Sequence, residues 1–171
     1  IKSIDYENVD LTKIDVLAKL LSVNKRVDYI IEQMNFYSFV GNKRKAIGFC
    51  VSKEHGIYMS EEFNKRGINS TFLSSEDSIL NRVNFIEKLE DDTDSLEVIF
   101  TVDIFNEGVD IPSINTVLFL RPTNSPIVFI QQLGRGLRKY KNKEFLTVLD
   151  FIGNHKKAYL IALALAGNKA I

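Results

Sequence analysis

From Lys45 onward, short apolar runs alternate with longer stretches whose apolar residues return every three or four positions. Ala46–Val51 is a continuous apolar run, the pattern of a strand covered on both faces. Ser52 can cap a helix that runs to a stop at Lys65-Arg66-Gly67. Ile68–Leu73 reads as a second strand. Ile79, Val83 and Ile86 share a helical face ahead of the acidic turn Glu90-Asp91-Asp92-Thr93-Asp94. Glu97–Val102, Thr116–Leu120 and Phe145–Phe151 read as three further strands. Ser125-Pro126 has the form of a helix start, a capping Ser followed by Pro at the first helical position. Asn154–Ala166 reads as a last helix, apolar nearly all round, which predicts burial. Its run Ala158–Ala166 is about half as long as a membrane span needs, so no membrane partner is expected.

Ahead of this alternation, residues 1–40 read as helical. Asp10 can cap a segment with Leu11, Ile14, Leu17, Ala18 and Leu21 on one face, and Val27, Ile30, Ile31 and Met34 repeat that spacing. Gly41-Asn42-Lys43-Arg44-Lys45 breaks the pattern as a polar turn. The pattern predicts an α/β fold: a three-layer domain with a mostly parallel sheet over 43–171, preceded by a helical extension over 1–42. Such sheets bind ligands beyond the carboxyl ends of their strands. The loops at Ser52, Ser74-Ser75, Val102–Pro112 and Arg121–Ser125 are therefore where chemistry is expected.

Composition narrows the class. At 171 residues, 45% hydrophobic and 26% charged, the chain suits one globular domain and is neither collagen, a coiled coil nor a disordered tail. One cysteine, Cys50, excludes an internal disulfide and a Cys-based zinc site; its apolar surroundings predict a buried, inert thiol and fit a reducing cytoplasm. Ile1-Lys2-Ser3-Ile4-Asp5 lacks the basic and apolar regions of a signal peptide. The chain opens on Ile rather than Met and is expected to be a piece of something longer. His55, on a predicted helix, and His155, beside Asn154, suggest surface or capping roles and no metal site. The net charge is zero, but residues 74–115 hold 11 acids and 2 bases while 121–171 hold 9 bases and 2 acids. Only local charge reaches a phosphate, so the overall neutrality does not exclude a nucleic-acid partner.

Three loops carry candidate chemistry. In Thr101-Val102-Asp103-Ile104-Phe105-Asn106-Glu107-Gly108-Val109-Asp110-Ile111-Pro112, a Thr at a strand end can bond a phosphate oxygen. Gly108 permits a tight backbone path, and Asp110 can accept from a ribose. A plain surface turn accounts for the same residues equally well. In Gln131-Gln132-Leu133-Gly134-Arg135-Gly136-Leu137-Arg138, the two arginines share a helical face and suit a polyphosphate, each donating a bidentate fork. A solvated basic helix end is the plain alternative. In Phe49-Cys50-Val51-Ser52-Lys53, a hydroxyl and an ammonium at a strand's carboxyl end can hold a phosphate, or serve as an ordinary cap and a surface lysine.

Taken together, these segments resemble motifs IV, V and VI of superfamily-two helicases and translocases, in the order of that family's second RecA-like lobe. Ala46–Lys53 is similar to motif IV, Phe100–Pro112 to the Thr then Gly-x-Asp-x-Pro of motif V, and Gln131–Arg138 to the Gln-x-x-Gly-Arg-x-x-Arg of motif VI. The likeness covers roughly residues 43–153. Its Gly-Arg-Gly-Leu-Arg form, with Arg121-Pro122-Thr123-Asn124-Ser125 upstream, resembles the restriction-enzyme and repair-type branch more than the DEAD-box RNA helicases. The resemblance implies Arg138 as arginine finger, Arg135 beside it on the γ-phosphate, and Gln131 touching the same nucleotide or coupling it to motion. It places Gly108 and Asp110 at the ribose edge, and Thr101, Ser52 and Lys53 on the nucleic-acid backbone. It implies ATP and Mg2+ held mainly by a first RecA-like lobe, nucleic acid (DNA) as partner, and further domains in a parent protein.

No P-loop occurs here, since Gly41-Asn42-Lys43-Arg44-Lys45 lacks the second Gly and the Ser/Thr, and Asp91-Asp92 sits in a polar turn rather than at a strand end. The lobe alone is therefore expected to be nearly inactive and to bind nucleic acid weakly. The rival expectation is a non-catalytic nucleic-acid or protein binding module of the same fold.

Overall fold

The computed structural model describes residues 24–102, 111–122 and 145–152. In chain order these form α1 (Asn24–Phe36), β1 (Ala46–Phe49), α2 (Lys53–Lys65), β2 (Ser70–Leu73), α3 (Ile79–Glu90), β3 (Val98–Thr101), β4 (Thr116–Phe119) and β5 (Thr147–Asp150). Each strand is shorter than the apolar run that signals it. Leu146 and Ile152 are buried just outside the paired residues, and Cys50 and Leu120, buried one residue past their strands, still donate to Thr101 O (2.8 Å) and Phe49 O (2.9 Å), so hydrophobicity extends past the strand ends. The helices read at Asp10, at Ser125-Pro126 and over Asn154–Ala166 lie outside the described residues.

Among the described residues all the pairings are parallel and the sheet order is β2-β3-β1-β4-β5. The fold is the expected helix-covered parallel sheet. β1 is central, and all four of its residues are buried. Alternate side chains serve opposite faces. Ala46 and Cys50 join Val98, Phe100 and Leu118 beneath Val27, Ile30 and Met34 of α1 and Met59 and Phe63 of α2. Ile47 and Phe49 join Ile99, Val117 and Phe119 beneath Phe85, Ile86 and Leu89 of α3. The α1 segment, read in sequence as part of an extension, thus lies on the sheet in the same apolar cluster as α2.

The polar turn before β1 continues the alternation and ties down the helices on both faces. Lys43 donates to the carbonyls of Lys88 (3.0 Å) and Asp91 (2.7 Å), and Lys45 to that of Glu90 (2.6 Å) while pairing with Asp92 at 2.7 Å. Arg44 points the other way, donating to Met34 O (2.8 Å) and Asn35 Oδ1 (3.1 Å). Helix carboxyl ends carry unpaired carbonyls and partial negative charge, which these cations satisfy. Buried Asn115 holds the turn itself: its Nδ2 donates to Val40 O and Lys43 O, each at 2.8 Å, and its Oδ1 accepts from Lys45 N at 2.8 Å.

Two glycines admit close packing. A Cβ at Gly48 would stand 2.5 Å from Cδ1 of Phe100, and one at Gly56 would stand 2.3 Å from Cδ2 of Phe72. Phe100 is fully buried edge-on against Phe63, with ring centroids 4.9 Å apart, and has nowhere to move. Gly48→Ala should therefore lower the unfolding free energy by about 1–3 kcal/mol. That loss would appear as a lower urea midpoint at unchanged slope; an unchanged midpoint would mean that Phe100 has room to yield.

Candidate functional site

Parallel pairing brings every strand's carboxyl end to one rim. Leu73, Thr101, Phe49, Phe119 and Asp150 stand in register across it. β1 leads through α2 to β2 on one side, while β5 lies beyond β4 on the other. The adjacent ends of β1 and β4 are thus the switch point where such sheets open a crevice.

Ser52 and Lys53 sit at that point, at the start of α2. Ser52 is the N-cap, extended at φ −146° and ψ 170°, and its Oγ accepts from His55 N at 3.2 Å. The Glu54 carboxyl is held below its usual range by its own backbone N–H and by the Ser52 hydroxyl. The Lys53 side chain is half exposed and pairs with Glu76 from the loop after β2. Its ammonium is raised above the usual lysine range, chiefly by the Glu76 hydrogen bond and charge, with Asp77 and Glu54 adding to it. Thr101 ends β3 beside them but is fully buried, and its carbonyl takes the N–H of Cys50 at 2.8 Å. Ser52, Lys53 and Thr101 therefore lie on the same rim, with Thr101 bonded to Cys50, two residues before Ser52. Gly108, Asp110, Gln131, Arg135 and Arg138 lie outside the described residues.

Cys50 is buried, as its apolar surroundings predict, and burial pushes its thiol up against a smaller opposing pull from Arg121. His55 is in the first turn of α2 but is not a surface residue. It is buried, its Nδ1 accepts from Val51 N at 3.2 Å, and so it braces the loop that carries Ser52.

Two rim residues carry more than their sequence reading. Arg121 directly follows β4, and its guanidinium lies 5.9 Å from the ring centroid of Phe49, which is itself stacked on Phe119 at 5.8 Å. It brings a second cation to the switch point. The signal for it, a basic residue immediately after an apolar strand, is the same one that singles out Lys53. Asp150 ends β5; its Oδ1 accepts from Ile152 N at 2.9 Å, while its Oδ2 is buried and has no hydrogen-bond partner among the described residues. Beside it, Phe151 O accepts from Arg26, and the Phe151 ring meets Tyr29 edge-on at 6.1 Å, so the amino end of α1 is fastened to this rim. Among the described residues no three of His, Cys, Asp and Glu converge as a metal-binding group, and no helix is long and apolar enough to cross a membrane.

The sequence profile of the helicase conserved C-terminal domain matches residues 12–140. The chain belongs to that family. Within it, this helicase C-terminal domain is similar to the protein of Saccharomyces cerevisiae named "Putative ATP-dependent helicase IRC3". The two are 35% identical over 119 residues, 70% of this chain and 17% of IRC3. It is also 27% identical over 141 residues to UvrABC system protein B of Kosmotoga olearia, covering 78% of this chain and 20% of that protein. The chain thus spans about a fifth of the length of these curated relatives. Among solved structures, a fragment of an HsdR-type subunit of a type I restriction enzyme from Vibrio vulnificus superposes with a TM-score of 0.61. That match covers 92% of this chain and 31% of the other at 16% identity, a likeness of fold. The chain is a second RecA-like lobe of the superfamily-two type, as motifs IV to VI indicate.

The buried His55 of this lobe makes its stability depend on pH. Burial lowers the folded imidazole to about 4 from an ordinary 6.5. Between those values the unfolded chain binds a proton that the folded chain resists, so stability falls as the pH drops through that window. The contribution amounts to about 3 kcal/mol when complete. Urea midpoints measured from pH 7 to 4.5 should fall more steeply for the native chain than for His55→Gln; equal slopes would show that the imidazole is not held neutral by burial.

Proposed function

We propose that this chain is the second motor lobe of an ATP-dependent DNA helicase or translocase. The observation that carries the reading is the carboxyl rim. At the switch point of a helicase C-terminal lobe, the amino end of α2 presents Ser52 and Lys53, and Arg121 stands after the neighbouring strand. A helix amino end with nearby cations suits phosphate oxygens without reading sequence, as a motor on any sequence requires. Ser52 and Lys53 grip the backbone. Thr101, fully buried here, fixes the Cys50 end of that loop through its carbonyl and reaches a strand only if the rim opens around it.

On the nucleotide side, Arg138 is the arginine finger, Arg135 and Gln131 face the same phosphates, and Gly108 and Asp110 border the ribose. ATP and its magnesium are held chiefly by a first RecA-like lobe of the parent protein, and ATP supplies the phosphoryl group whose loss drives the cycle. Residues 1–42 form the extension that leads into the lobe of residues 43–171, with α1 fastened to it rather than tethered loosely. Further domains complete the parent. The preference for DNA rests on the Gly-Arg-Gly-Leu-Arg form of residues 134–138, and salt titrations with single-stranded DNA, duplex DNA and RNA test it.

In the full-length parent, Arg138→Ala should cut ATP turnover about 10³-fold or more while leaving nucleic-acid binding nearly intact. Steady-state ATPase and binding assays on the one variant check both halves, and retained turnover would remove the finger assignment. The isolated 171-residue chain should show negligible turnover; activity like that of a complete motor would overturn the division of labour between lobes.

A further inference from the structure

Lys53, the cation at the mouth of the switch point, already has an anion. Its Nζ is bonded to the Glu76 carboxylate, and Glu54 and Asp77 lie close enough to act on it electrostatically. One lysine thus faces three carboxylates. Their roles differ. Asp77 is engaged inside its own loop: its Oδ2 accepts from Ser74 N at 2.7 Å and from Ser74 Oγ at 3.1 Å, and its Oδ1 accepts from Asn81 Nδ2 at 3.2 Å. Glu54 is turned back onto Ser52 and its own backbone. Glu76 is the acid of that loop that reaches across to α2.

The loop is built to present it. Ser74 Oγ takes the Glu76 N–H at 3.3 Å, Asp77 closes the turn onto Ser74, and Ser78 caps α3 by accepting from Asn81 N at 3.1 Å. The Glu76 side chain itself stays exposed, resting on the first residue of α2, where the helix amino end also favours an anion. A carboxylate oxygen bonded to an ammonium at a helix amino end occupies the place and the chemistry of a phosphate oxygen.

We infer that Glu76 is a built-in competitor for the nucleic-acid phosphate that Lys53 would hold, so that the loop after β2 sets how tightly this lobe grips a strand. The inference rests on the reading of Lys53 as a backbone contact. Glu76 bonds Lys53 when no strand is present, and a phosphate must displace it. Both side chains are exposed, so the competition is shallow: it weakens the grip without abolishing it, which suits a lobe that must release and re-engage the strand.

The test is a double-mutant cycle on the 171-residue chain, with fluorescent dT20 and rU20 as probes and salt varied. Glu76→Gln should tighten binding by about two- to five-fold, the range of an exposed ion pair. It should leave the urea midpoint essentially unchanged, which a merely structural tie between the loops would not. The gain should vanish when Lys53 is also replaced, so that the E76Q/K53Q pair binds no better than K53Q. Glu61→Gln makes the same charge change elsewhere on α2 and should not reproduce the gain. A gain that persists without Lys53, or that Glu61→Gln matches, would make the effect general repulsion and overturn the inference. If Lys53→Gln weakens binding but Glu76→Gln changes nothing, the competitor role falls and the Lys53 contact stands. If neither variant alters binding, the Lys53 contact fails and the competitor role fails with it.

Discussion

The structure depends on burying β1 from both sides. A central parallel strand has no solvent face, so each of its residues must find apolar partners above or below it. Four residues do this: Ala46 and Gly48 toward α1 and α2, Ile47 and Phe49 toward α3. Gly48 leaves the space that Phe100 fills, and Phe49 supports both the stack with Phe119 and the Arg121 guanidinium at the rim. The packing of the core and the placement of the functional loops therefore share a single strand.

The same parallelism polarises the molecule electrostatically. Helices that return chain from the carboxyl to the amino edge of the sheet point their carboxyl ends at one edge and their amino ends at the other. At the amino edge, partial negative charge collects, and Lys43, Arg44 and Lys45 meet it with hydrogen bonds to helix carbonyls on both faces. At the carboxyl rim, the amino ends of α2 and α3 collect partial positive charge, met by Glu54, Glu76 and Asp77. The anions that meet this charge are therefore the protein's own acids, drawn from the first turn of α2 and the loop after β2.

α1 shows why a boundary read from periodicity differs from one read from packing. Its Val27, Ile30 and Met34 follow helical spacing, and the polar turn after it looks like a hinge between units. In the structure that turn is a staple. Asn115 binds it from the sheet side, its own Arg44 holds the carboxyl end of the helix, and Arg26 and Tyr29 fasten the other end of the helix to Phe151, far along the chain. Nothing local to residues 24–45 announces these partners.

Much was legible in the chain itself because the signals are local. Ser52 as a cap, the Lys65-Arg66-Gly67 stop, the five apolar runs and the three motif segments all arise from periodicities and residue types within a few positions, where backbone geometry acts. The apolar runs are longer than the strands because burial continues beyond the paired residues, as Ile68 and Leu146 show. Tertiary structure decided what depends on neighbours distant in sequence. It buried His55, which looks like a surface helix residue, because the loop after β1 needed an acceptor for Val51 N. It buried Thr101 by pairing β3 with strands on both sides, and it turned Lys53 from a free cation into one held by Glu76. Sequence alone determined which chemistry the chain carries and the order in which it occurs. Only the folded sheet, by aligning strand ends that lie tens of residues apart, decided which of those groups face one another and with what charge.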